Sequence, residues 1–208
     1  MLFDIHCHIL PAIDDGSKSM EETEKMLRMA KKERIGTILA TPHYSCEREP
    51  EFYKECQSVY EEVCQMVQEK NLGIQLYLGN EIFYSSGVLE ALKRGKALTL
   101  NHTKYVLVEF APYVELLTIK KAVQELQMAG YFPILAHIER YECLKKESEV
   151  QNLVDMGAYI QMNADSIIGE DGFTVKRFCK KVIKEEMLDF VGSDGHDLAK
   201  RTPHIGKC

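Results

Sequence analysis

The chain has 208 residues, of which 45% are hydrophobic and 28% charged, and its formal net charge at neutral pH is -6. This length suits a single domain that buries most of the surface its unfolded chain exposes. The acidic balance argues against a nucleic-acid surface held by a basic stripe. Apolar runs fall short of the ~20 residues that a membrane helix needs, and the N-terminus does not have the pattern of a signal peptide.

Seven cysteines occur without a CxxC or zinc-finger spacing. Such a set predicts reduced, structural thiols in a cytoplasmic protein. Arginine does not stand six positions after any of these cysteines, so the loop used by cysteine-dependent phosphatases is absent. The cysteines lie at positions 7, 46, 56, 64, 143, 179 and 208.

Seven short apolar runs predict buried strands, and each run leads into a polar residue. The carboxyl ends of the strands of a βα barrel converge on one face, where the active site lies. Seven polar ends on seven strands therefore predict a multinuclear metalloenzyme. The runs are residues 2–5 before His6 and His8, 37–40 before His43, 74–78 before Glu81, 105–108 before Glu109, 132–136 before His137, 159–162 before Asn163, and 190–192 before Asp194 and His196.

Helical patterns separate the predicted strands. Ser19 and Glu22 form a plausible capping box, and Gly36 is expected to end the helix that follows. Apolar residues recur at intervals of three and four across 52–67, which predicts a helix with one buried face. Gly130 and Gly157 are the expected C-caps of two further helices. The remaining helices are predicted at 86–94, 118–129, 147–156 and 173–187.

The chain therefore reads as one α/β domain over 1–208, built from βα units with short loops. Only residues 197–208 follow the seventh strand, too few for a loop and a full covering helix. We expect either an open flank or a shortened sequence that lacks the C-terminal covering segment, and shortening is the favoured interpretation.

His6 and His8 stand two apart on a strand, so both imidazoles project from the same face. That spacing offers two nitrogen ligands to one divalent ion, and Asp14 follows six residues after His8. Asp194 and His196 repeat the spacing at the far end of the chain. If the last strand closes beside the first, then His6, His8 and Asp194 meet at a single ion.

Glu81 and Glu109 end apolar strands, where a carboxylate is costly unless it is paired or bound to metal. Nitrogen and oxygen donors without thiolate suit Mn, Fe or Zn. Nine donors exceed the need of one ion, and three divalent ions would make the site net positive and favour an anionic substrate such as a phosphate. The nine candidate ligands are His6, His8, Asp14, His43, Glu81, Glu109, His137, Asp194 and His196.

Arg140 and Arg201 lie just past two of the candidate ligands. A guanidinium group matches phosphate oxygens in pairs, so both are candidate catalytic residues that hold the anion. His102 and His204 have no strand-end placement and are expected at the surface.

Together these motifs resemble the PHP (polymerase and histidinol phosphatase) superfamily. More narrowly, the chain resembles the bacterial manganese-dependent protein-tyrosine phosphatases of capsule and exopolysaccharide systems. The resemblance runs nearly the whole length, although Thr202 stands where a second proline is expected. The matching stretches are Met1–Pro11, Ile13–Ser17, Ala40–Tyr44, Gly79–Ile82, Ala136–Tyr141, Gln161–Ala164 and Ser193–His196.

The resemblance implies a distorted (β/α)7 TIM-like barrel (the PHP fold) with three Mn ions, Fe, Zn or Mg being alternatives. It implies hydrolysis of phosphotyrosine by a metal-activated hydroxide, with a bacterial tyrosine autokinase of polysaccharide export as partner. The implied ligand sets are His6, His8, Glu81 and Asp194 for one ion, Glu81, Glu109 and His137 for a second, and Asp14, His43 and His196 for a third.

Three other functions compete with this interpretation. A small-molecule phosphatase of the histidinol-phosphatase type uses similar ligands. A non-catalytic module that docks on a kinase would fit a decayed site, but the complete ligand set argues against decay. An amidohydrolase is disfavoured because Glu109 and Asn163 occupy the places where that class needs lysine and histidine.

Overall fold

The computed structural model describes residues 1–49 and 51–206, and its central feature is a curled parallel β-sheet. Every strand pairing in these residues is parallel. Apolar residues dominate the strands, as is typical of parallel sheets. The strands are β1 (Leu2–Cys7), β2 (Ile35–Ala40), β3 (His43–Tyr44), β4 (Gln75–Leu78), β5 (Glu81–Phe83), β6 (Tyr105–Glu109), β7 (Phe132–Leu135), β8 (Tyr159–Asn163) and β9 (Phe190–Gly192).

Beyond two of the seven predicted strands the chain forms a further short strand that was not predicted, β3 after β2 and β5 after β4. Pro42, which has no N–H to donate, separates β2 from β3, and Asn80 lies between β4 and β5. Pro42 and Asn80 lie side by side, because Glu81 N donates to the Pro42 carbonyl at 3.2 Å and Asn80 Nδ2 donates to the same oxygen at 3.0 Å. The sheet therefore has two parts, with the strand orders β1-β2-β4 and β3-β5-β6-β7-β8-β9.

The first and last strands meet at their carboxyl ends. His8 N donates to the Gly195 carbonyl and Asp194 N donates to the His6 carbonyl, both at 2.8 Å. Buried Asp4 on β1 adds a side-chain link, since it accepts from Ser193 N at 2.9 Å and from Ser193 Oγ at 2.6 Å. The residues after β9 are therefore held against those of β1.

The helices alternate with the strands, as the periodicity predicted. Ser19 caps the first helix by accepting from Glu22 N at 3.2 Å. Gly130 and Gly157 follow two helices with φ of +85° and +89°, which confirms both C-caps. The helices are α1 (Met20–Lys32), α2 (Phe52–Glu69), α3 (Val88–Lys93), α4 (Leu116–Met128), α5 (Glu147–Asp155), α6 (Ala164–Ile168) and α7 (Phe173–Lys184).

The prediction that Gly36 ends α1 is wrong. The helix ends at Lys32, the left-handed turn falls on Arg34 with φ of 64°, and Gly36 lies inside β2. The exposed side chain of Met1 lies against Gly36, in the space that a Cβ would occupy. The short helix α6 was not predicted.

The main core fills the space between the helices and the sheet. A smaller cluster around Leu107 and Ile134 lies apart from it and includes residues of β1, β2, β8 and β9. Ile205, which follows β9, is buried in the main core. Within residues 1–49 and 51–206, helices long and apolar enough to cross a membrane are absent.

Candidate metal centre

The structure brings the nine candidate ligands to one end of the curled sheet, where the parallel strands terminate. Three groups of donor atoms form there, and within each group all ligand atoms lie within 4.8 Å of one another. The buried group comprises His6, His8, Glu81 and Asp194. The bridging group comprises His43, Glu81 and Glu109, and the outer group comprises His8, Asp15, His43 and His196.

The buried group has the geometry of a cation site. The Nε2 atoms of His6 and His8 lie 3.1 Å apart, and each is 3.2 Å from Oε2 of Glu81 and 3.5 Å from Oδ1 of Asp194. Oδ1 of Asp194 is buried without a hydrogen-bond partner among the described residues, and Oε2 of Glu81 has no hydrogen bond of good geometry there, although His43 Nδ1 lies 2.9 Å away. An unpaired buried carboxylate oxygen is costly, and a divalent cation between the four donors would satisfy both oxygens.

The imidazole rings of three candidate ligands are already oriented for binding. Nδ1 of His8 lies 2.8 Å from Asp14 Oδ2, and Nδ1 of His196 lies 2.8 Å from the Asp194 carbonyl. Nδ1 of His6 lies 3.3 Å from a side-chain oxygen of β8. Because an acceptor fixes the proton on Nδ1, the lone pair of each Nε2 is left for an ion.

The bridging group shares Glu81 with the buried group. Glu81 Oε1 lies 2.8 Å from His137 Nε2, while Glu81 Oε2 lies 2.9 Å from His43 Nδ1. Glu109 Oε2 lies 3.6 Å from His43 Nδ1, and Glu109 Oε1 lies 3.6 Å from His137 Nε2. Burial and the nearby Glu81 carboxylate raise the pKa of Glu109. A cation in this group would relieve this repulsion, and Glu81 belongs to both groups.

The outer group contains Asp15, which the sequence reasoning did not select. Asp15 Oδ1 lies 3.4 Å from His43 Nε2 and 3.5 Å from His196 Nε2. Asp14 was predicted as a ligand, but its oxygens have other partners. Oδ2 contacts His8 Nδ1 and accepts a hydrogen bond from His43 N at 2.9 Å. Oδ1 accepts a hydrogen bond from Gly16 N. The structure thus gives Asp14 an orienting position and brings Asp15 into the donor group.

Opposite charges in the buried group stabilise each other. Burial by itself would raise the pKa values of Glu81 and Asp194, but the charge on His6 and hydrogen bonds from neighbouring imidazoles hold both pKa values well below their usual range. Burial would lower the pKa of His6 and of His8, but the carboxylates raise both. Burial and the charge on His8 lower the pKa of His196 to about 4. An ion bound by His6 and His8 would displace their protons.

Two candidate ligands follow their strands in an unfavourable backbone conformation. His137 has φ of 32° and Asp194 has φ of 53°, both in the left-handed region. Residues with a Cβ adopt this region at a cost of about 1 kcal/mol or more. The strain turns the chain sharply at the point where each side chain enters the donor groups.

Arg140 and Arg201 converge on the same atom of the buried group. Their Nη2 atoms lie 2.8 Å and 2.6 Å from Asp194 Oδ2. Arg201 Nε is buried without a hydrogen-bond partner within the described part of the chain. Two guanidinium groups at the rim of a cation site are suited to bind the oxygens of a phosphoryl group.

Other residues considered from the sequence lie outside the buried, bridging and outer groups, although His204 forms a separate group of donors with Asp165 and Glu170. His102 is exposed, and His204 pairs with Asp165 at 2.9 Å. Six cysteines in the described ranges are free, and none belongs to a donor group. Cys208 lies outside the described residues.

Comparison with known proteins places the chain in a family. The sequence pattern of the family described as capsular polysaccharide synthesis, CpsB/CapC, matches residues 2–208. The chain belongs to the CpsB/CapC family. This confirms the resemblance drawn from the motifs.

Named relatives in this family are phosphatases. The tyrosine-protein phosphatase YwqE of Bacillus subtilis is 33% identical over 98% of this chain and 80% of its own length. The tyrosine-protein phosphatase CpsB of Streptococcus agalactiae is 32% identical over 100% of this chain and 88% of its own length.

Solved structures agree with the family assignment. One matching crystal structure belongs to a set of YwqE from Bacillus subtilis and CpsB from Streptococcus pneumoniae, which are described as unique metal-dependent tyrosine phosphatases. It matches this chain with a TM-score of 0.91 and 31% identity. The match covers 99% of this chain and 84% of that chain. HisK of Listeria monocytogenes matches with a TM-score of 0.56 and 10% identity over 94% of this chain and 95% of that one, a likeness of fold alone.

Proposed function

We propose that this chain is a metal-dependent tyrosine phosphatase that hydrolyses phosphotyrosine on a protein. The observation that carries the proposal is the buried group, in which buried oxygens of Glu81 and Asp194 face two imidazole nitrogens. The named activity of the relatives supports the same reaction.

The donor groups suggest which residues hold each ion. His6, His8, Glu81 and Asp194 would hold one, and Glu81, Glu109 and His137 a second, with His43 beside it. Asp15, His43 and His196 would hold the third, which replaces Asp14 in the set implied by the family resemblance. Nitrogen and oxygen donors suit Mn, with Fe, Zn and Mg as alternatives. Divalent ions here would supply Lewis-acid activation of water and of the phosphoryl group.

The protein's own residues would bind and orient the substrate. Arg140 and Arg201 would donate to the phosphoryl oxygens as charge redistributes during transfer. The phenolate of tyrosine leaves readily because the pKa of its conjugate acid is about 10, so a protonated side chain at the leaving oxygen is not needed. We propose the phosphorylated tail of a bacterial tyrosine autokinase as the substrate, in keeping with a family of capsular polysaccharide synthesis.

The fold is part of the proposal. The hydrogen bonds between β1 and the residues after β9 would close the curled sheet into a distorted (β/α)7 barrel, with 1–208 as one domain. Closure matters for function because His6 and His8 come from the first strand while Asp194 comes from the last.

A substrate comparison tests the proposed reaction. The metal-loaded protein should hydrolyse a phosphotyrosine peptide with a higher kcat/KM than histidinol phosphate. The reverse preference would favour a small-molecule phosphatase. Bound metal without turnover on any aryl phosphate would favour the non-catalytic docking module.

A further inference from the structure

Strand β8 supplies none of the proposed ligands, yet it carries two buried amide side chains into the metal centre. Gln161 is 0% exposed and Asn163 is 2% exposed. Burying an amide is costly unless its donors and acceptors are paired. These two amides pair with each other and with residues of three other parts of the site, so their cost is offset by specific contacts.

The contacts form a continuous chain. Gln161 Oε1 accepts from His137 N at 2.7 Å and lies 3.3 Å from His6 Nδ1. Gln161 Nε2 donates to Asn163 Oδ1 at 3.0 Å, and Asn163 Nδ2 donates to Asp194 Oδ2 at 2.8 Å. One chain of amides therefore connects a ligand on β1 with a ligand that follows β9.

The polarity of this chain is determined at both ends. The backbone N–H of His137 can only donate, so the atom of Gln161 that faces it must be the oxygen. The Asp194 carboxylate can only accept, so the atom of Asn163 that faces it must be the amide nitrogen. His6 Nδ1 must then donate to Gln161 Oε1, and this leaves the lone pair of His6 Nε2 directed into the buried group.

Asp194 is oriented by the same amides. Its Oδ2 accepts hydrogen bonds from Asn163 and from the two arginines. Its Oδ1 lies 3.5 Å from the Nε2 atoms of His6 and His8. If the arginines turn to a phosphoryl group, the neutral Asn163 still holds the carboxylate. The ligand oxygen would then keep its position while substrate binds.

Glycine at position 192 makes room for this arrangement. A Cβ added there would lie 2.6 Å from His6 Cβ and 2.9 Å from Gln161 Nε2. The absence of a side chain on β9 lets the amide of β8 and the imidazole of β1 meet across it.

We infer that Gln161 and Asn163 form an amide relay that positions His6 and Asp194 for ion binding, an inference that rests on the proposed metal-dependent function. Both are positioning residues, since neither is placed to touch the substrate. The relay sets the proton position of one ligand and the orientation of the other from a strand that has no ligand of its own.

Ion affinity tests the relay in two separate variants. Gln161→Met and Asn163→Leu keep approximate size and remove the amide, and either should weaken binding of the tightest Mn ion about 10- to 100-fold, measured by calorimetry on metal-stripped protein. Thr23→Val is the matched control: it removes the buried hydrogen bonds of the Thr23 hydroxyl with the Ile9 carbonyl and with Ser17 Oγ, and neither partner is a proposed ligand. Thermal unfolding establishes that each variant is folded.

The unmodified protein supplies a second test that needs no variant. In the zinc-loaded protein, nitrogen-15 NMR should show His6 protonated on Nδ1, with that proton in a hydrogen bond. Protonation on Nε2, or folded variants that bind Mn as tightly as Thr23→Val, would overturn the relay. If Mn binds and the variants weaken it while phosphotyrosine is not hydrolysed, the proposed activity fails and the relay stands. If phosphotyrosine is hydrolysed while the variants bind Mn normally, only the relay fails.

Discussion

Asp194 divides its two carboxylate oxygens between different partners. Oδ2 receives hydrogen bonds from two arginines and one amide, whereas buried Oδ1 has no hydrogen-bond partner in the described residues and faces the imidazoles of the buried group. A substitution at the arginines therefore alters anion binding without removing the ligand oxygen. Metal binding and substrate binding can be separated experimentally at this residue.

Replacing Arg140 should lower turnover without emptying the metal centre. Arg140→Ala removes one charged donor to the phosphoryl group, and loss of one such donor typically costs about 10²- to 10³-fold in kcat. The measurement is kcat/KM on a phosphotyrosine peptide, together with the metal content. Arg28→Ala, which removes an exposed ion pair with Glu24 on α1, is the control. A wild-type kcat/KM for Arg140→Ala would refute the assignment.

The two adjacent aspartates should respond differently to substitution. Asp15→Asn removes a donor of the outer group, so the protein should bind about one ion fewer per chain, as expected for a site with four donors or fewer. Asp14→Asn weakens the acceptor for His8 Nδ1 and should lower affinity about 10- to 100-fold while the full number of ions still binds at saturation. Metal analysis after equilibrium dialysis distinguishes the two results. Loss of an ion in Asp14→Asn alone would restore Asp14 as the ligand.

The sequence pointed to Asp14 in this loop, whereas the structure brings Asp15 beside His43 and His196. Asp14 and Asp15 are adjacent and chemically identical, and their roles separate only because Gly16 N and His8 Nδ1 lie beside Asp14. The amides of β8 were equally hard to assign. Gln161 was visible only as part of a motif, since its role depends on groups 24 and 155 residues away in the chain.

Most strands and helices could be predicted from the order of apolar residues. Short apolar runs indicate buried strands, and apolar residues spaced three and four apart indicate helices with one buried face. The short strands β3 and β5 could not be predicted, because each forms only where it pairs with a neighbouring strand that is distant in sequence. The end of α1 was predicted wrongly at Gly36 for a related reason. A glycine near a helix end usually marks a cap, but here the left-handed residue is Arg34 and Gly36 lies in a strand.

The C-cap at Gly130 offers a test of a single element. Its φ of +85° is unfavourable for alanine, although an added Cβ would meet nothing within 4 Å. Gly130→Ala should therefore reduce the free energy of unfolding by about 1 kcal/mol, measured by urea denaturation. Lys121→Ala, at an exposed position on α4, should change it little. Equal stability of Gly130→Ala and the unmodified protein would contradict the left-handed cap.

Thiol chemistry distinguishes the whole molecule from a cysteine-dependent phosphatase. Burial raises the pKa values of Cys56 and Cys179 to about 12, and that of Cys7 well above its usual value. A raised pKa keeps a thiol protonated, and the thiolate is the reactive form. Alkylation at pH 8 should therefore modify exposed Cys46 first and spare these three, as measured by mass spectrometry. Inactivation in step with modification of Cys7, Cys56 or Cys179 would contradict this account.

The curled sheet explains why ligands from distant parts of the sequence form one centre. His6 and Asp194 are 188 positions apart, yet backbone hydrogen bonds at 2.8 Å join the two strand ends that carry them. His43, Glu81, Glu109 and His137 come from the strands between or from the residue directly after one. The fold therefore gathers acids and imidazoles that local sequence could place only on separate strands.

Metal dependence of turnover is the most direct test of the central claim. Metal-stripped protein would be assayed on a phosphotyrosine peptide with Mn, Mg or Zn added back, while the ratio of metal to protein is determined. We expect Mn to restore hydrolysis as about three ions bind per chain. Nine or ten donors that share Glu81 would accommodate that number of ions. Folded protein that takes up no divalent metal, or that hydrolyses phosphotyrosine equally well without it, would contradict the account.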